Sequence, residues 1–227
     1  MSTATKSLFH TLRDGCPRDW QQYVEHPFVA GMADGTLPEP AFRFYLEQDY
    51  LFLIHFARAY GLAAYKAETL ADIRGAAAGL SAIIDTEMGL HVEFCAGWGL
   101  TEAQMAAVPE APETMAYTRY VLEKGLQGDL LDLHVALAPC MLGYGEIGHA
   151  LAHHPDTKIA GNPYVPWIEM YASKDYQDVA AEERATLDRL MKERGGPGRM
   201  ASLQKTFAEA TRLEAAFWDM GLRAAGT

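Results

Sequence analysis

Three apolar helical patterns in this sequence each carry one reactive side chain at an inward position. These side chains are Asp49, Cys140 and Glu214. A carboxylate on a buried face costs free energy unless it is paired or functional, and a cysteine is a strong nucleophile only when its pKa is lowered. A thiol and two carboxylates that meet in one helical pocket could combine nucleophilic attack with acid and base catalysis. Taken singly, the thiol can equally be a small core residue and each carboxylate an ion-paired structural group.

Aromatic side chains lie on or near the same helical patterns. Flat rings with a few polar neighbours suit a flat, nitrogen-containing ligand, although the same rings would also serve as ordinary core. The candidate ligand-contacting rings are Phe52, Tyr117, Tyr144, Tyr171 and Phe217, with Trp218 beside the last of them.

Two histidine-containing patterns raise the question of a metal. Glu87 and His91 form an inward pair four residues apart, for which we favour a hydrogen bond in the core and keep a metal pair as the alternative. Glu146 and His149 match the Glu-x-x-His pattern of di-iron bundles. At about 100° per residue, however, they point away from the face of the reactive thiol. His153 follows four residues later, so a metal on that outer face stays an alternative to solvated or subunit-facing histidines, and we predict no metal ligand.

A glycine pattern resembles a phosphate-binding loop by letters alone. Gly143-x-Gly145-x-x-Gly148 matches GxGxxG, but that motif works only where a strand precedes it and a helix follows. Here the pattern lies inside a helical stretch. We therefore expect these small residues to allow close helix packing.

The elements that must position these residues are helices. Apolar residues recur at helical spacing in the stretches 42–60, 80–98, 113–125, 133–151, 163–171, 179–194 and 203–221. Thr36-Leu37-Pro38-Glu39 is predicted to be a capping box at the start of the first stretch, and Pro139 to kink or interrupt its helix. No strand pattern is visible. We expect one all-α domain over residues 1–227, a bundle of about seven to nine helices.

Charge and cysteine content restrict the function further. The formal net charge of −11 disfavours nucleic acid and anionic membranes as partners. Three cysteines without paired spacing give neither a disulfide framework nor a cysteine zinc site. The stretch from Met1 to Asp19 lacks the apolar core of a signal peptide, and no run of 18 apolar residues predicts a membrane span. We expect a reduced, cytoplasmic protein.

Several ordered motifs resemble the TenA/THI-4 family, the thiaminase II enzymes, from about Phe9 to Leu222. The matching segments are His26-Pro27-Phe28-Val29, Asp34-Gly35-Thr36-Leu37-Pro38, Gln48-Asp49-Tyr50, Glu87-Met88-x-Leu90-His91, Pro139-Cys140 with Tyr144 and Glu146, and Glu214-x-x-Phe217-Trp218. The resemblance implies a haem-oxygenase-like all-α fold, a homotetramer and no cofactor.

The resemblance also implies an activity. Family members hydrolyse the C–N bond at the methylene of an aminopyrimidine, in thiamin or in 4-amino-5-aminomethyl-2-methylpyrimidine, and release the hydroxymethyl pyrimidine. By this resemblance Cys140 is the nucleophile, Asp49 binds the aminopyrimidine edge and Glu214 is the acid and base. Tyr117, Tyr144 and Tyr171 match pocket tyrosines, and Phe52 and Phe217 are expected to contact the substrate as well.

One position departs from the family, and two other functions stay open. Phe52 stands where family members often have Tyr, so we expect the missing hydroxyl to slow the enzyme. The first alternative is an oxidoreductase on the same fold, like the pyrroloquinoline-quinone synthesis or di-iron oxidase relatives. Against it, residues 203–222 contain no histidine. The second is a non-catalytic role in gene expression, which at this net charge would be indirect.

Overall fold

All regular structure in the computed structural model, which describes residues 6–226, is helical. The helices are α1 (Leu8–Gly15), α2 (Pro17–Val24), α3 (Pro27–Asp34), α4 (Glu39–Lys66), α5 (Leu70–Ser81), α6 (Met88–Gly97), α7 (Glu102–Ala106), α8 (Pro112–Gln127), α9 (Leu130–His153), α10 (Val165–Ala172), α11 (Lys174–Arg194) and α12 (Arg199–Ala224), with a π-helical segment, Ala82–Glu87, between α5 and α6. No strand occurs in this range, which confirms the all-α prediction.

The helices outnumber the expected seven to nine because the start of the chain folds into three short ones. Each of α1 to α3 has eight residues, too few to show a repeating apolar pattern. Their ends carry local signals instead. The Ser7 side chain caps α1, Pro17 begins α2, and the His26 side chain accepts a hydrogen bond from the Phe28 amide at the start of α3.

The predicted capping box at Thr36–Glu39 is wrong. The amide of Thr36 donates to Asp34 Oδ1 at 2.9 Å, and its hydroxyl donates to the same oxygen at 2.5 Å. A short acidic side chain thus competes for the groups that a cap would use. Helix α4 begins behind Pro38 without a side-chain cap. A capping box does form at Thr101, where the hydroxyl and the Gln104 side chain satisfy each other's main-chain groups.

Two of the predicted helices differ from the observed ones in their interior. The stretch expected over residues 80–98 is interrupted by the π-helical segment, whose wider turn changes which side chains face inward. Ile84, expected on the apolar face, is therefore exposed, whereas Ile83 is buried. Helix α9 passes through Pro139 without a break. It is long and apolar enough to cross a membrane by length and composition alone, but 89% of its most apolar 18-residue window is buried in the protein, as is typical of a core helix.

The chain divides into two compact units. The first comprises Met1–Leu37 with His134–Ala215, and the second Pro38–Leu133 with Ala216–Thr227. The first unit therefore contains α1–α3, α10 and α11, and the second α4–α8, while α9 and α12 contribute residues to both. One domain over residues 1–227 stays a prediction. Positions 1–5 and 227 lie outside the described residues, and so does the first part of the Met1–Asp19 stretch that was expected to lack a signal-peptide core.

Each unit has its own aromatic core. In the first unit, Trp20 stacks on Phe207 with ring centroids 5.7 Å apart, and Phe9 packs edge-on against both. In the second unit, Phe42 of α4 lies 5.5 Å from Phe94 of α6. These rings are large apolar surfaces removed from water, and their burial fixes the helices that carry the candidate site residues.

Candidate active site

Cys140 occupies a tightly packed stretch of α9 in the first unit. It is 9% exposed and follows Pro139, which has no amide hydrogen to donate to the preceding turn. The Tyr23 hydroxyl donates to the Pro139 carbonyl at 3.3 Å, and the Tyr176 hydroxyl donates to the Met141 carbonyl at 3.2 Å. Hydrogen bonds from two other helices therefore hold the main chain on both sides of the thiol.

The other two cysteines have different surroundings. Burial raises the pKa of the Cys16 thiol to about 11, with the charge of Asp19 adding to the effect. Burial likewise raises the pKa of Cys95 to about 11, assisted by Glu47. Both groups are neutral thiols at pH 7, which suits a structural role and not a nucleophilic one.

Two predicted pocket tyrosines meet in the first unit. The ring of Tyr144, one turn after the thiol on α9, lies 4.9 Å from that of Tyr171 on α10. Trp167 completes the cluster, 5.7 Å from Tyr144 and 4.4 Å from Tyr171. The tyrosines are thus part of one aromatic group, as a pocket wall requires. Glu214 belongs to the same unit and is 2% exposed on α12, so the carboxylate lies at a buried position, as predicted.

Asp49 is held by two hydrogen bonds inside the second unit. It is 4% exposed, and its Oδ2 accepts from the Tyr45 hydroxyl at 3.0 Å. The same oxygen lies 2.6 Å from Nε2 of His91, which comes from α6. Nδ1 of His91 lies 2.8 Å from the main-chain carbonyl of Glu87, so the predicted core hydrogen bond exists but uses the main chain. Both contacts on Asp49 end at Oδ2, and neither uses Oδ1.

The remaining predicted rings surround Phe52 in the second unit. Its centroid lies 5.0 Å from Tyr117 and 5.7 Å from Phe217, and it stacks on Phe56 at 5.3 Å. Phe217 also packs edge-on against Tyr45, the donor to Asp49. The structure therefore brings Phe52, Tyr117 and Phe217 together, three of the five candidate rings.

The predicted site residues fall into two groups. Asp49 and the rings around Phe52 lie in the second unit, whereas Cys140, Glu214 and the two tyrosines lie in the first. That both groups serve one pocket stays a prediction. The sequence reasoning missed two partners of Asp49. Tyr45 lies four residues earlier on the same helix and could have been found from that spacing, but His91 is 42 positions away.

The residues of the Glu-x-x-His pattern on α9 make structural contacts. Glu146 Oε1 accepts from Arg13 at 3.0 Å and Oε2 accepts from Trp20 Nε1 at 3.1 Å, so the carboxylate ties α9 to the first two helices. His149 and His153 are exposed, and Nδ1 of His153 is 2.8 Å from the His149 carbonyl. Within residues 6–226, no three His, Cys, Asp or Glu side chains form a group suited to a metal.

The glycines of the false phosphate motif are packing positions, as expected. A Cβ on Gly143 would lie 2.2 Å from Tyr23 Cε1, and a Cβ on Gly148 would lie 2.5 Å from Tyr171 Cβ. These distances are far below van der Waals contact, so only glycine allows the neighbouring helices to approach this closely.

Comparison with known proteins decides the family. The model of the TENA/THI-4/PQQC family matches residues 18–224. The chain belongs to this family. It is 36% identical, over 88% of its length and 89% of the relative, to a Halalkalibacterium halodurans protein named aminopyrimidine aminohydrolase. A Haemophilus influenzae protein described as uncharacterized is 41% identical over 89% of this chain and 93% of its own.

A solved structure supports the fold as well. A protein from a Silicibacter species, described as a TenA family transcription regulator, superposes with a TM-score of 0.90 at 41% identity, covering 98% of this chain and 99% of the other. The all-α prediction and the family resemblance are thereby confirmed. Together with the aminohydrolase relatives, family membership identifies the chain as a hydrolase.

Proposed function

We propose that this enzyme serves thiamin salvage by hydrolysing the C–N bond at the methylene of an aminopyrimidine. The substrate is thiamin or 4-amino-5-aminomethyl-2-methylpyrimidine, and the product is 4-amino-5-hydroxymethyl-2-methylpyrimidine. The observation that carries the proposal is a buried carboxylate, Asp49, fixed through one oxygen, whose donor Tyr45 packs against Phe217 of the aromatic group. A carboxylate accepts the N–H groups of an aminopyrimidine edge, and flat rings stack on the pyrimidine.

The proposed reaction begins at the thiol. The Cys140 thiolate adds to an electron-poor carbon of a pyrimidine that binds protonated at a ring nitrogen, and Asp49 accepts the hydrogen bond of that N–H. The adduct is electron-rich, so it expels the amine from the methylene, and Glu214 donates the proton that the leaving amine needs. Glu214 then removes a proton from water, which adds to the methylene, and the thiolate leaves. The balance is aminomethyl pyrimidine and water to hydroxymethyl pyrimidine and ammonia. From the thiamin cation, the thiazolium leaves as neutral thiazole without needing a proton, so thiamin and water give hydroxymethyl pyrimidine, thiazole and one proton.

The aromatic residues have a binding role in this proposal. Phe52, Tyr117, Phe217, Tyr144 and Tyr171 contact the substrate. Each of these side chains is buried, so packing holds its ring in place, and the flat apolar face of the ring suits a pyrimidine.

The direct test is product release from both pyrimidine substrates. Cys140→Ala should abolish turnover while the protein stays folded, because the proposed adduct forms on the Cys140 sulfur. Cys16→Ala is the matched control, since Cys16 lies in the same unit, is similarly buried and has its pKa raised to about 11. It should keep wild-type turnover. Near-normal activity of Cys140→Ala would refute the nucleophile assignment.

The expected homotetramer and cytoplasmic location belong to the same proposal. Three large side chains of the second unit, Tyr65, Leu70 and Leu126, are more than half exposed in the single chain, and burial of such apolar surface favours association. Light scattering on the purified protein tests the oligomer, and a monomer at working concentration would contradict it. Fractionation of cells tests the location.

A further inference from the structure

The imidazole of His91 is fully buried, and its two nitrogens have partners of different chemical type. Nδ1 lies 2.8 Å from the main-chain carbonyl oxygen of Glu87, and Nε2 lies 2.6 Å from Oδ2 of Asp49. A carbonyl oxygen can only accept a hydrogen bond, so Nδ1 carries a hydrogen. The carbonyl therefore fixes the protonation of one nitrogen and aims the other at the carboxylate.

The contact between Nε2 and Oδ2 then holds one hydrogen. When the ring is protonated, Nε2 donates that hydrogen to the Oδ2 acceptor. Burial alone lowers the pKa of His91, but the hydrogen bond and charge of Asp49, with the charge of Glu87, raise it above its usual value. The Tyr45 hydroxyl donates to the same oxygen.

We propose that His91 is the positioning residue for Asp49: it holds Oδ2 and balances the carboxylate's charge, so that Oδ1 faces the aminopyrimidine edge in one orientation. This inference rests on the proposed function. A carboxylate bound through one oxygen by a single donor rotates readily about its last side-chain bond. Here two donors from two helices, Tyr45 of α4 and His91 of α6, converge on that oxygen and restrict the rotation.

Charge balance is the second part of the role. A negative charge in a buried position is costly unless a cation or a hydrogen-bond donor compensates it. His91, whose pKa is raised, supplies that compensation at Oδ2 of Asp49 without touching the substrate itself.

Two substitutions separate these contributions. His91→Leu removes both the donor and the charge, and we expect kcat/KM of the folded enzyme to fall about 100-fold, with kcat lowered as well as KM raised, because Asp49 is displaced. His91→Gln keeps an N–H donor without the charge, and we expect its kcat/KM to be about tenfold higher than that of His91→Leu. A merely structural role would lower the folded fraction and leave both constants unchanged.

The matched control is another buried histidine. His134 of α9 lies 2.8 Å from the Glu183 carboxylate of α11, with burial similar to that of the Asp49 pair. His134→Leu should lower stability and leave kcat and KM per folded molecule unchanged. Wild-type constants in His91→Leu would overturn the proposal. An equal loss of activity in His134→Leu would overturn it too, because the effect would then be general to buried histidine pairs.

Nitrogen NMR of the whole protein tests the pairing without any substrate. At pH 7 both nitrogens of His91 should carry hydrogens, and in Asp49→Asn Nε2 should lose its hydrogen because the charge that holds it is gone. If the wild type turns over neither pyrimidine while this signature appears, the proposed function fails and the pairing is supported. If the wild type is active but Nε2 does not respond to Asp49→Asn, the positioning role is overturned.

Discussion

Gly148→Ala should destabilise the first unit, although alanine is the better helix former. The added Cβ would lie 2.5 Å from Tyr171 Cβ and 2.6 Å from its main-chain carbonyl carbon, so α10 must move by about 0.9 Å to restore an ordinary contact of 3.4 Å. Overpacking of this kind costs about 1–3 kcal/mol, and the upper end applies because main-chain atoms must move. The higher helix propensity of alanine offsets about 1 kcal/mol of this cost. The free energy of unfolding should therefore decrease by about 2 kcal/mol.

The matched control lies on the same helix. A Cβ on Gly145 meets Ala180 Cβ at 3.5 Å, which is ordinary van der Waals contact, so Gly145→Ala should gain up to about 1 kcal/mol from helix propensity. Urea unfolding followed by circular dichroism measures both changes. For a chain of this size the Gly148 loss corresponds to a decrease in Tm of about 4–8 °C.

The same substitution should affect catalysis through Tyr171. Tyr171 is one of the residues that we propose to contact the substrate, and a shift of about 1 Å in such a residue costs about 100-fold in rate. We expect kcat/KM of Gly148→Ala to fall substantially, while Gly145→Ala keeps wild-type turnover. If Gly148→Ala were as stable and as active as Gly145→Ala, the close approach of α9 and α10 would not be a constraint, and the packing explanation of this glycine pattern would be refuted.

Three further predictions concern other residues. Phe52→Tyr should raise turnover by restoring a hydroxyl that family members often have, although the buried hydroxyl costs about 1–3 kcal/mol if it finds no partner; a variant that is no faster counts against this. Glu146→Gln should cost about 1 kcal/mol of stability through the half-exposed pair with Arg13 and leave activity independent of added iron; loss of an iron-dependent activity would contradict the structural role. The raised pKa of His91 predicts that its stabilising contribution is complete below pH 6.5 and declines as pH rises through the folded-state pKa. Urea unfolding of wild type and His91→Gln should show a smaller difference in their free energies of unfolding at pH 9 than at pH 6. A difference that is the same at both pH values would be evidence against the pairing.

The long helices could be read from the sequence because their apolar spacing is a local property. The predicted stretch 42–60 lies within α4, and the predicted stretches 179–194 and 203–221 lie within α11 and α12. The short helices α1 to α3 were not predicted, because eight residues show little more than two turns of pattern. The cap at Thr36 was misassigned, because its hydroxyl had a second local partner in Asp34.

For the candidate site, the sequence by itself determined which reactive side chains lie on inward helix faces. Helical periodicity placed Asp49, Cys140 and Glu214 at buried positions, and all three are buried. It could not determine what each one touches, because partners on other helices are distant in the sequence. Only the tertiary structure showed that His91, 42 positions away, holds the carboxylate of Asp49. A π-helical turn between the two changes the inward face after residue 82, and packing of α6 on α4, not local spacing, sets that contact.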